Sequence, residues 1–246
     1  VGVSESTVVR FAIELGFSGY PSLQKSLQEL IKNKLTTVQR LDLSNDYICN
    51  GYTLKGVLKS DMENIRATME KINYSTFEDV VNNIFEAKRI YIIGLRSSMA
   101  LAEFLGFYLN VILQNVKTVG YGISDIFEEM INIGEGDLVI GIGFPRYANR
   151  TIDVLSFAQD RGATIVALTD SIISPLAQRA DYALIVQSNM ASFVDSLVAP
   201  LSVINALIIA VGLRQKESVS TTFNSLEEIW KEYNVYSYNH NNDDEF

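Results

Sequence analysis

Apolar residues in the later part of the chain form short continuous runs that alternate with segments of helical periodicity. The runs are RIYIIG, KTVGYG, DLVIGIG, ATIVALTD and DYALIV, and the helical segments between and after them cover 98–115, 123–131, 148–162, a short piece around 174–179, and 195–216. Strands that are apolar on both faces and joined by helices are typical of a parallel sheet covered on both sides. The pattern therefore predicts a doubly wound α/β domain whose five-stranded parallel sheet has the order 2-1-3-4-5.

The first 34 residues show the periodicity of two helices. The first helix follows the N-cap Ser4 and ends at Gly16. Its apolar face comprises four residues at helical spacing, Val8, Phe11, Ala12 and Leu15. The second helix is predicted from about Pro21, at its first position, to Lys34. The pair indicates a small all-α unit ahead of the sheet.

Residues 35–52 interrupt this periodicity. They are polar and end in Asn50-Gly51, a turn-forming pair, so we expect a linker there. Helices near 53–72 and 76–87 follow the linker and lead into the first strand. After the last strand and its helix, a final helix near 222–233 precedes a tail that is too polar to fold alone.

The composition is that of a globular protein, and it narrows the possible chemistry. Of 246 residues, 48% are hydrophobic, 20% are charged and one is cysteine, Cys49, so we predict neither an internal disulfide nor a metal site. No Gly-x-Gly-x-x-Gly or Walker sequence occurs, so no cofactor is expected. The start of the chain shows no signal-peptide pattern. The apolar segment 197–213 contains Pro200, Ser202 and Asn205, which favours a buried helix over a membrane span. These features predict a cytoplasmic protein.

Charge is unevenly distributed along the chain. The formal net charge is −9, yet residues 1–40 carry five basic and three acidic side chains, a net of +2, which leaves −11 for residues 41–246. Nucleic acid is repelled by the acidic part and attracted only by the short basic part. Any contact with DNA is therefore expected within residues 1–40.

Three loops that follow predicted strands contain many hydrogen-bond donors. They are GLRSS (94–98), GFPRYANRT (143–151) and TDSIISPL (169–176), and each leads into a helical segment. The carboxyl ends of parallel strands meet at one edge of the sheet, where helix N-termini favour anions. The first two loops contain no acidic side chain, which favours an anion over a metal. The predicted ligand-binding residues are Arg96, Ser97, Ser98, Arg146, Tyr147, Asn149, Thr151 and Ser174.

Two stretches of the chain resemble one known family. VGVSESTVVRFAIELGFSGYPSLQKSL resembles the second half of the helix-turn-helix domain of RpiR-type transcriptional regulators. Residues from Arg89 to about Gly212 resemble the sugar isomerase (SIS) domain of those regulators, through IGLRSS, GDLVIGIGF, AQDRGATIVALTD and SPLAQRADYALIV. The resemblance implies a flavodoxin-like SIS fold and a homodimeric regulator whose affinity for operator DNA responds to a sugar phosphate or a related anionic metabolite. It places DNA contacts at Ser4, Ser6, Thr7 and Arg10, on the exposed side of the first helix.

The chain departs from the family pattern in two places. It begins at the turn immediately before the recognition helix, so the front half of the helix-turn-helix domain is expected to be missing. SIS domains that bind sugar phosphates usually have a Ser-x-Ser-Gly-x-Thr loop after the third strand, but Gly143 and Pro145 replace both serines here and only Thr151 matches. With two guanidinium groups and a phenol in this loop, we expect the ligand to be an unusual sugar phosphate or a carboxylated metabolite.

The predicted domains are a partial helix-turn-helix domain at 1–40, a linker and connecting helix at 41–75, the SIS phosphosugar-binding domain at 76–234 and a polar tail at 235–246. Two alternatives to a regulator stay open, an aldose–ketose isomerase and a dimerisation module without a ligand. An isomerase needs a Glu or His base beside the sugar. The single histidine, His240, lies in the tail, and the glutamates on nearby helices show no acid–base spacing, so catalysis is not expected. These glutamates are Glu103, Glu128 and Glu129.

Overall fold

Helices and parallel strands alternate through most of the chain. The computed structural model describes residues 4–24, 27, 35–43, 53–120, 122, 125–190 and 193–237. The labelled helices ahead of the first strand are α1 (Glu5–Glu14), α2 (Thr37–Leu43), α3 (Thr53–Lys71) and α4 (Tyr74–Glu86). They are followed by β1 (Ile90–Gly94), α5 (Met99–Leu113), β2 (Val116–Val119), α6 (Ile126–Glu129), β3 (Leu138–Ile142), α7 (Asn149–Gln159), β4 (Thr164–Thr169), β5 (Tyr182–Ile185), α8 (Val198–Arg214) and α9 (Lys216–Glu232). Single helical turns occur at Arg96–Ser98 and Ala177–Arg179.

The strands form one parallel sheet in the order β2-β1-β3-β4-β5, which confirms the predicted topology. β1 lies between β2 and β3, and Ile90 is opposite both Val116 and Leu138. Parallel neighbours need a crossover connection, and the helical segments between the strands provide it. Because the chain moves outward from β1 in both directions, the loops after β1 and β3 lie side by side at the point where the strand order reverses.

Alternate residues of the sheet belong to two separate hydrophobic clusters. In β1, Ile90 and Ile92 pack with residues of α4, α5 and α8, whereas Tyr91 and Ile93 pack with residues of α6 and α7. Every residue of β1 and of β3 is buried. Helices thus cover both faces of the sheet, as the continuous apolar runs predicted.

The apolar segment near residue 200 forms α8, which packs in the core as predicted. Its buried residues are Ala199, Pro200, Val203, Ile204, Leu207 and Val211. Among the described residues, no single helix combines the length and the apolar character that a membrane span requires. Val198–Arg214 and Val219–Glu232 meet that criterion only as a pair, and the pair is bent by 107°.

The linker predicted for 35–52 is wrong in its first part, because Thr37–Leu43 form α2. A reciprocal cap starts this helix. The Thr36 backbone N–H donates to Gln39 Oε1 at 2.9 Å, and the Gln39 N–H donates to Thr36 Oγ1 at 3.3 Å. This capping box outweighs the polar composition of the segment. Residues 44–52 lie outside the described residues, as does most of the helix predicted from Pro21 to Lys34.

α1 begins after Ser4, as predicted, and the Ser4 side chain accepts a hydrogen bond from the Thr7 N–H at 3.3 Å. Of its four predicted apolar residues only Ala12 is buried, while Phe11 and Leu15 are 58% and 51% exposed. An amphipathic helix buries its apolar face only where another element covers it. Within the described part of the chain, the apolar face of α1 is therefore largely open.

Several boundaries differ from the predicted ones. The second strand runs over Val116–Val119 and ends before Gly120 instead of continuing to Gly122. The helix predicted at 123–131 is limited to α6, whose start is fixed by a capping box between Asp125 and Glu128. α9 begins at Lys216 and not near 222, directly after Gln215, the C-cap residue of α8.

Candidate functional site

A cavity of about 270 Å³ opens at the carboxyl edge of the sheet, beside the ends of β1 and β3. Its size is near the lower limit of small-molecule sites, which is about 300 Å³. The loops after β1 and β3, α2 and the segment between β5 and α8 line it. Most of the predicted ligand-binding residues are at this cavity, namely Arg96, Ser97, Ser98, Arg146 and Thr151.

The loop after β1 depends on Gly94. A Cβ atom at this position would lie 2.5 Å from the carbonyl oxygen of Ser98, so glycine is required for the Arg96–Ser98 turn to fold back onto the strand. Arg96 adopts a left-handed backbone conformation, with a φ of 59°. Ser98 is 5% exposed and occupies the N-cap position of α5, yet its side chain makes no capping hydrogen bond. The hydroxyl of Ser98 is thus not committed to helix capping.

The loop after β3 has no space for the first hydroxyl of the family pattern. A Cβ atom at Gly143 would lie 2.8 Å from Leu176 Cδ2, and Leu176 is completely buried. Arg146, with a φ of 67°, directs its guanidinium to α2, where Nη1 donates to Thr37 Oγ1 at 2.7 Å. Thr151 is 2% exposed in the first turn of α7. The loop therefore brings one guanidinium and one hydroxyl to the cavity.

The other three predicted ligand-binding residues lie outside the lining of the cavity. Tyr147 Oη donates to Asp170 Oδ1 at 2.7 Å, and burial together with this hydrogen bond raises the pKa of the phenol. Ser174 Oγ accepts a hydrogen bond from the Ala177 N–H at 3.0 Å, at the first residue of the Ala177–Arg179 turn. Asn149 is exposed at the start of α7. Tyr147 and Ser174 are thus engaged within the protein itself.

α2 and the segment after β5 bring to the cavity four residues that sequence reasoning missed, Thr37, Arg40, Phe193 and Asp195. Arg40 Nη1 and Asp195 Oδ1 are 3.3 Å apart, and the two side chains are 2% and 22% exposed. Burial raises the pKa of Asp195 although the positive charge of Arg40 opposes this shift. Two signals for these elements were in the sequence. The Thr-x-x-Gln capping box marks α2, and the rule that ligands bind at the carboxyl ends of strands applies to the loop after β5 as well.

The lining of the cavity is rich in positive charge. Arg40, Arg96 and Arg146 line it together with one carboxylate, Asp195. Guanidinium groups form two-point hydrogen bonds with phosphate and carboxylate oxygens, so this arrangement favours an anion. In the part of the chain that the structure describes, no group of three or more His, Cys, Asp or Glu side chains is placed to hold a metal ion.

The residues predicted to contact DNA are exposed on α1 or at its N-cap, and they are Ser4, Ser6, Thr7 and Arg10. Ser4 Oγ lies 2.8 Å from Ser6 Oγ and 2.9 Å from Thr7 Oγ1. Arg10 follows Thr7 by three residues and lies one turn further along the helix. None of the four lines the cavity, so the two predicted sites are separate.

Known proteins match most of this chain. The family model described as SIS domain matches residues 83–210. The HTH-type transcriptional regulator HexR of Escherichia coli (strain K12) is 26% identical over 236 residues, which cover 94% of this chain and 80% of the relative. An uncharacterized HTH-type transcriptional regulator of Haemophilus influenzae is 29% identical over 188 residues, 74% of this chain and 64% of the relative. The solved sugar isomerase domain of an RpiR transcription factor from Sphaerobacter thermophilus is 28% identical, with a TM-score of 0.69, and the match covers 72% of this chain and 99% of that domain.

These matches differ in how much of the relative they include. The chain spans 64% of the length of the Haemophilus influenzae relative, slightly less than two thirds. The match to HexR extends over 94% of this chain, so it includes residues ahead of the SIS match at 83–210. The similarity therefore concerns both the sheet domain and the helical region that precedes it.

Proposed function

Because this chain belongs to the SIS domain family, as its resemblance to the SIS domains of RpiR-type regulators predicted, we propose that it is a transcriptional regulator controlled by a small anion. The SIS domain, which we assign to residues 76–234, binds a phosphorylated sugar or a related anionic metabolite in the cavity beside β1 and β3. A complete helix-turn-helix domain, to which residues 1–40 contribute, binds operator DNA. Such a regulator acts in the cytoplasm, where its DNA lies.

The observation that carries this proposal is the extent of the similarity to HexR, a transcriptional regulator by name. The match covers 94% of the chain and so includes the helical region ahead of the SIS domain. Within that region, residues 1–40 carry a net charge of +2 and include the exposed polar side chains of α1. A short basic region joined to an acidic domain suits a protein that contacts nucleic acid at one end only.

The charge of the cavity supports an anionic ligand. Three arginines and one aspartate line it, which leaves an excess of two positive charges, and a phosphomonoester carries about −1.5 to −2 at pH 7. The hydroxyls of Ser98 and Thr151 lie at the starts of α5 and α7, where helix N–H groups also favour phosphate. A phosphate group therefore matches both the charge and the donors of this site.

A thermal-shift screen tests the ligand. The panel consists of inorganic phosphate, glucose 6-phosphate, N-acetylmannosamine 6-phosphate and 6-phosphogluconate, with the unphosphorylated sugars and sugar acid as controls. A ligand at 100 times its dissociation constant stabilises a protein by about 2.7 kcal/mol, which raises the melting temperature by roughly 5–10 °C for a domain of about 150–250 residues.

Variants show whether such a rise comes from this cavity. Arg146→Ala and Ser98→Ala should each remove most of the rise, because both side chains line the cavity. Arg161→Gln is the control, since this arginine is exposed and lies outside the lining. The proposal fails if no phosphorylated compound raises the melting temperature, or if the rise survives both substitutions.

Arg10→Ala tests the DNA contact in a protein that carries the complete helix-turn-helix domain. The DNA is a fragment that this protein selects from a random pool, and binding is measured by fluorescence anisotropy. Loss of a base-reading arginine should weaken binding by about 1–3 kcal/mol and relax the preference at one base position. Lys231→Ala, an exposed substitution on α9, should leave binding unchanged. Equal affinities of the Arg10→Ala variant and the wild type would remove Arg10 from the proposed interface.

One observation favours the isomerase as a second candidate, because Asp195 places a carboxylate in the cavity. An aldose–ketose isomerase needs such a base beside the sugar. The positive charge of Arg40 opposes the rise in pKa that burial causes at Asp195, and HexR, whose match covers 94% of this chain, is a transcriptional regulator by name, so we favour the regulator. NMR spectra of the panel compounds incubated with the protein test the alternative. Conversion of an aldose phosphate that Asp195→Asn abolishes would establish an enzyme.

We also propose a homodimer in which α3 lies at the interface. Five apolar residues at helical spacing are between 39% and 74% exposed along this helix, Leu54, Leu58, Met62, Ile65 and Met69. Soluble monomers rarely expose an apolar stripe of this length. A two-fold dimer also suits the palindromic sites that helix-turn-helix regulators read. If the protein dimerises and no panel compound binds, the dimerisation module without a ligand is the correct alternative.

A further inference from the structure

α2 forms one wall of the cavity although it lies outside residues 83–210, the extent of the SIS match. Thr37 and Arg40, about one turn apart on this helix, both line the cavity. The wall therefore belongs to the part of the chain that precedes the SIS domain, and a ligand in the cavity lies between the two parts.

Arg40 places a buried charge at this wall. Its side chain is 2% exposed, and its Nη1 lies 3.3 Å from Asp195 Oδ1. This distance is longer than the roughly 2.7–2.9 Å of a strong charge-assisted hydrogen bond. Removing a guanidinium from water is unfavourable unless nearby anions and acceptors compensate for the lost hydration. An anion in the cavity places a second negative charge, besides that of Asp195, near this buried guanidinium.

Arg146 connects the loop after β3 to the same wall. Its Nη1 donates to Thr37 Oγ1 at 2.7 Å, a bond from a charged donor to a neutral hydroxyl. Arg146 and Arg96 both have left-handed backbone conformations and both line the cavity. Such conformations are unfavourable for residues other than glycine and persist where the surroundings enforce them, often at ligand sites. An anion is a stronger acceptor for a guanidinium than a hydroxyl is, so it competes with Thr37 for Arg146.

We propose that Arg40 is an anion-binding residue supplied by α2 from outside the SIS domain, and that a bound anion replaces Thr37 as the partner of Arg146. Guanidinium groups from two separate parts of the chain then hold the same anion. The Arg146–Thr37 contact between α2 and the SIS domain opens when the cavity fills. This change in the contacts of α2 thereby couples occupancy of the cavity to the residues that precede α2. The inference rests on the proposed function, because it concerns the same ligand site.

The first test measures affinity by isothermal titration calorimetry with the member of the named phosphate panel that raises the melting temperature most. Arg40→Gln should weaken binding about tenfold or more, since it removes a hydrogen bond between charged groups. Arg161→Gln, the matched exposed control, should bind as the wild type does. Arg40→Lys keeps the charge beside Asp195 and loses only the two-point hydrogen bonding, so it should weaken binding by a smaller factor while the protein stays folded by circular dichroism.

The second test follows hydrogen exchange of the α2 peptide, residues 37–43, with and without the same compound. The ligand should change exchange in α2 of the wild type and of Arg161→Gln, and the change should be absent in Arg40→Gln. Thr37→Val removes the hydroxyl that holds Arg146, so it should bind the compound at least as tightly as the wild type does.

The outcomes distinguish this inference from the proposed function. If the wild type binds a panel compound and Arg40→Gln and Arg40→Lys both bind it equally well, Arg40 is not part of the site, and the regulator proposal stands without it. If the loops at 94–98 and 143–151 become protected while α2 exchanges unchanged, the link through α2 is wrong. If no panel compound binds the wild type, the proposed function fails, and this inference fails with it.

Discussion

Placing a side chain at position 143 tests why the loop after β3 departs from the hydroxyl-rich pattern of related SIS domains. The backbone of Gly143 is not in the left-handed region, so its conformation accepts other residues and the constraint is one of space. A Cβ atom there would lie 2.8 Å from Cδ2 and 3.3 Å from Cδ1 of Leu176. Leu176 is 0% exposed and belongs to the hydrophobic cluster on the α7 side of the sheet, so it has little freedom to move away.

The expected loss of stability follows from this contact. Adding a carbon atom to a packed core costs about 1–3 kcal/mol, because neighbouring side chains leave their preferred rotamers. For a domain of about 150–250 residues, 1 kcal/mol corresponds to about 2–4 °C, so the melting temperature should fall by roughly 2–12 °C. Gly143→Ala isolates the effect of the Cβ atom, and Gly143→Ser adds the hydroxyl of the family pattern. Because both variants share the Cβ atom, we expect similar losses.

A double-mutant cycle with Leu176→Ala, measured by urea denaturation, attributes the loss to a specific neighbour. Leu176→Ala alone removes a buried side chain and should cost about 2–5 kcal/mol. In the double variant with Gly143→Ala, the new methyl group occupies space that Leu176 has vacated. The combined loss should therefore be smaller than the sum of the single losses by about 1 kcal/mol or more. Additive losses would refute the steric explanation and would require another reason for glycine at 143.

Substitutions at three further positions test other parts of the structure. Asp170→Asn should become more stable relative to the wild type as the pH rises above about 4. Burial raises the pKa of the Asp170 carboxyl, so the wild type loses stability over that range. If urea denaturation gives the same difference in unfolding free energy between variant and wild type at about pH 4 and pH 7, this prediction is wrong. Asp137→Ala should cost about 2–3 kcal/mol, because this buried carboxylate accepts hydrogen bonds from Arg89 Nε at 3.0 Å and Nη2 at 2.7 Å. Asp137→Asn should lower the free energy of unfolding by less. If Asp137→Ala lowers it by less than about 1 kcal/mol, the Arg89–Asp137 pair contributes little to stability. Met62→Glu should give a monomer by light scattering, since it places a charge in the exposed apolar stripe of α3, and an unchanged dimer would exclude this helix from the interface.

The sheet was predictable because strands buried on both faces are apolar along their whole length. RIYIIG and DLVIGIG contain β1 and β3, in which every residue is buried. The rule that ligands bind at the carboxyl ends of parallel strands also predicted that Arg96 and Arg146 line one cavity, although they belong to different loops. Periodicity and topology thus identified two loops of the candidate site, whereas the third predicted loop, 169–176, contributes no residue to the cavity lining.

The contacts of individual side chains were not predictable in the same way. Arg146 and Tyr147 are neighbours in the sequence, yet Arg146 lines the cavity and donates to α2 while Tyr147 donates to Asp170. Arg40 and Asp195 form an ion pair across 155 residues, and no local pattern relates them. Tertiary packing alone decides such pairs, which explains why sequence reasoning found the loops after β1 and β3 and missed both α2 and the segment after β5.

The missing hydroxyls and the added guanidinium groups have related effects on ligand recognition. Leu176 occupies the space that a side chain at 143 requires, so the loop cannot supply a hydroxyl there without repacking the core. Arg146 instead extends from this loop to α2, where Arg40 adds a second guanidinium. A planar guanidinium fork matches the oxygens of a phosphate or carboxylate and makes no demand on the configuration of a sugar ring. We therefore expect this site to select its ligand first by the anionic group and only weakly by the stereochemistry of the attached sugar.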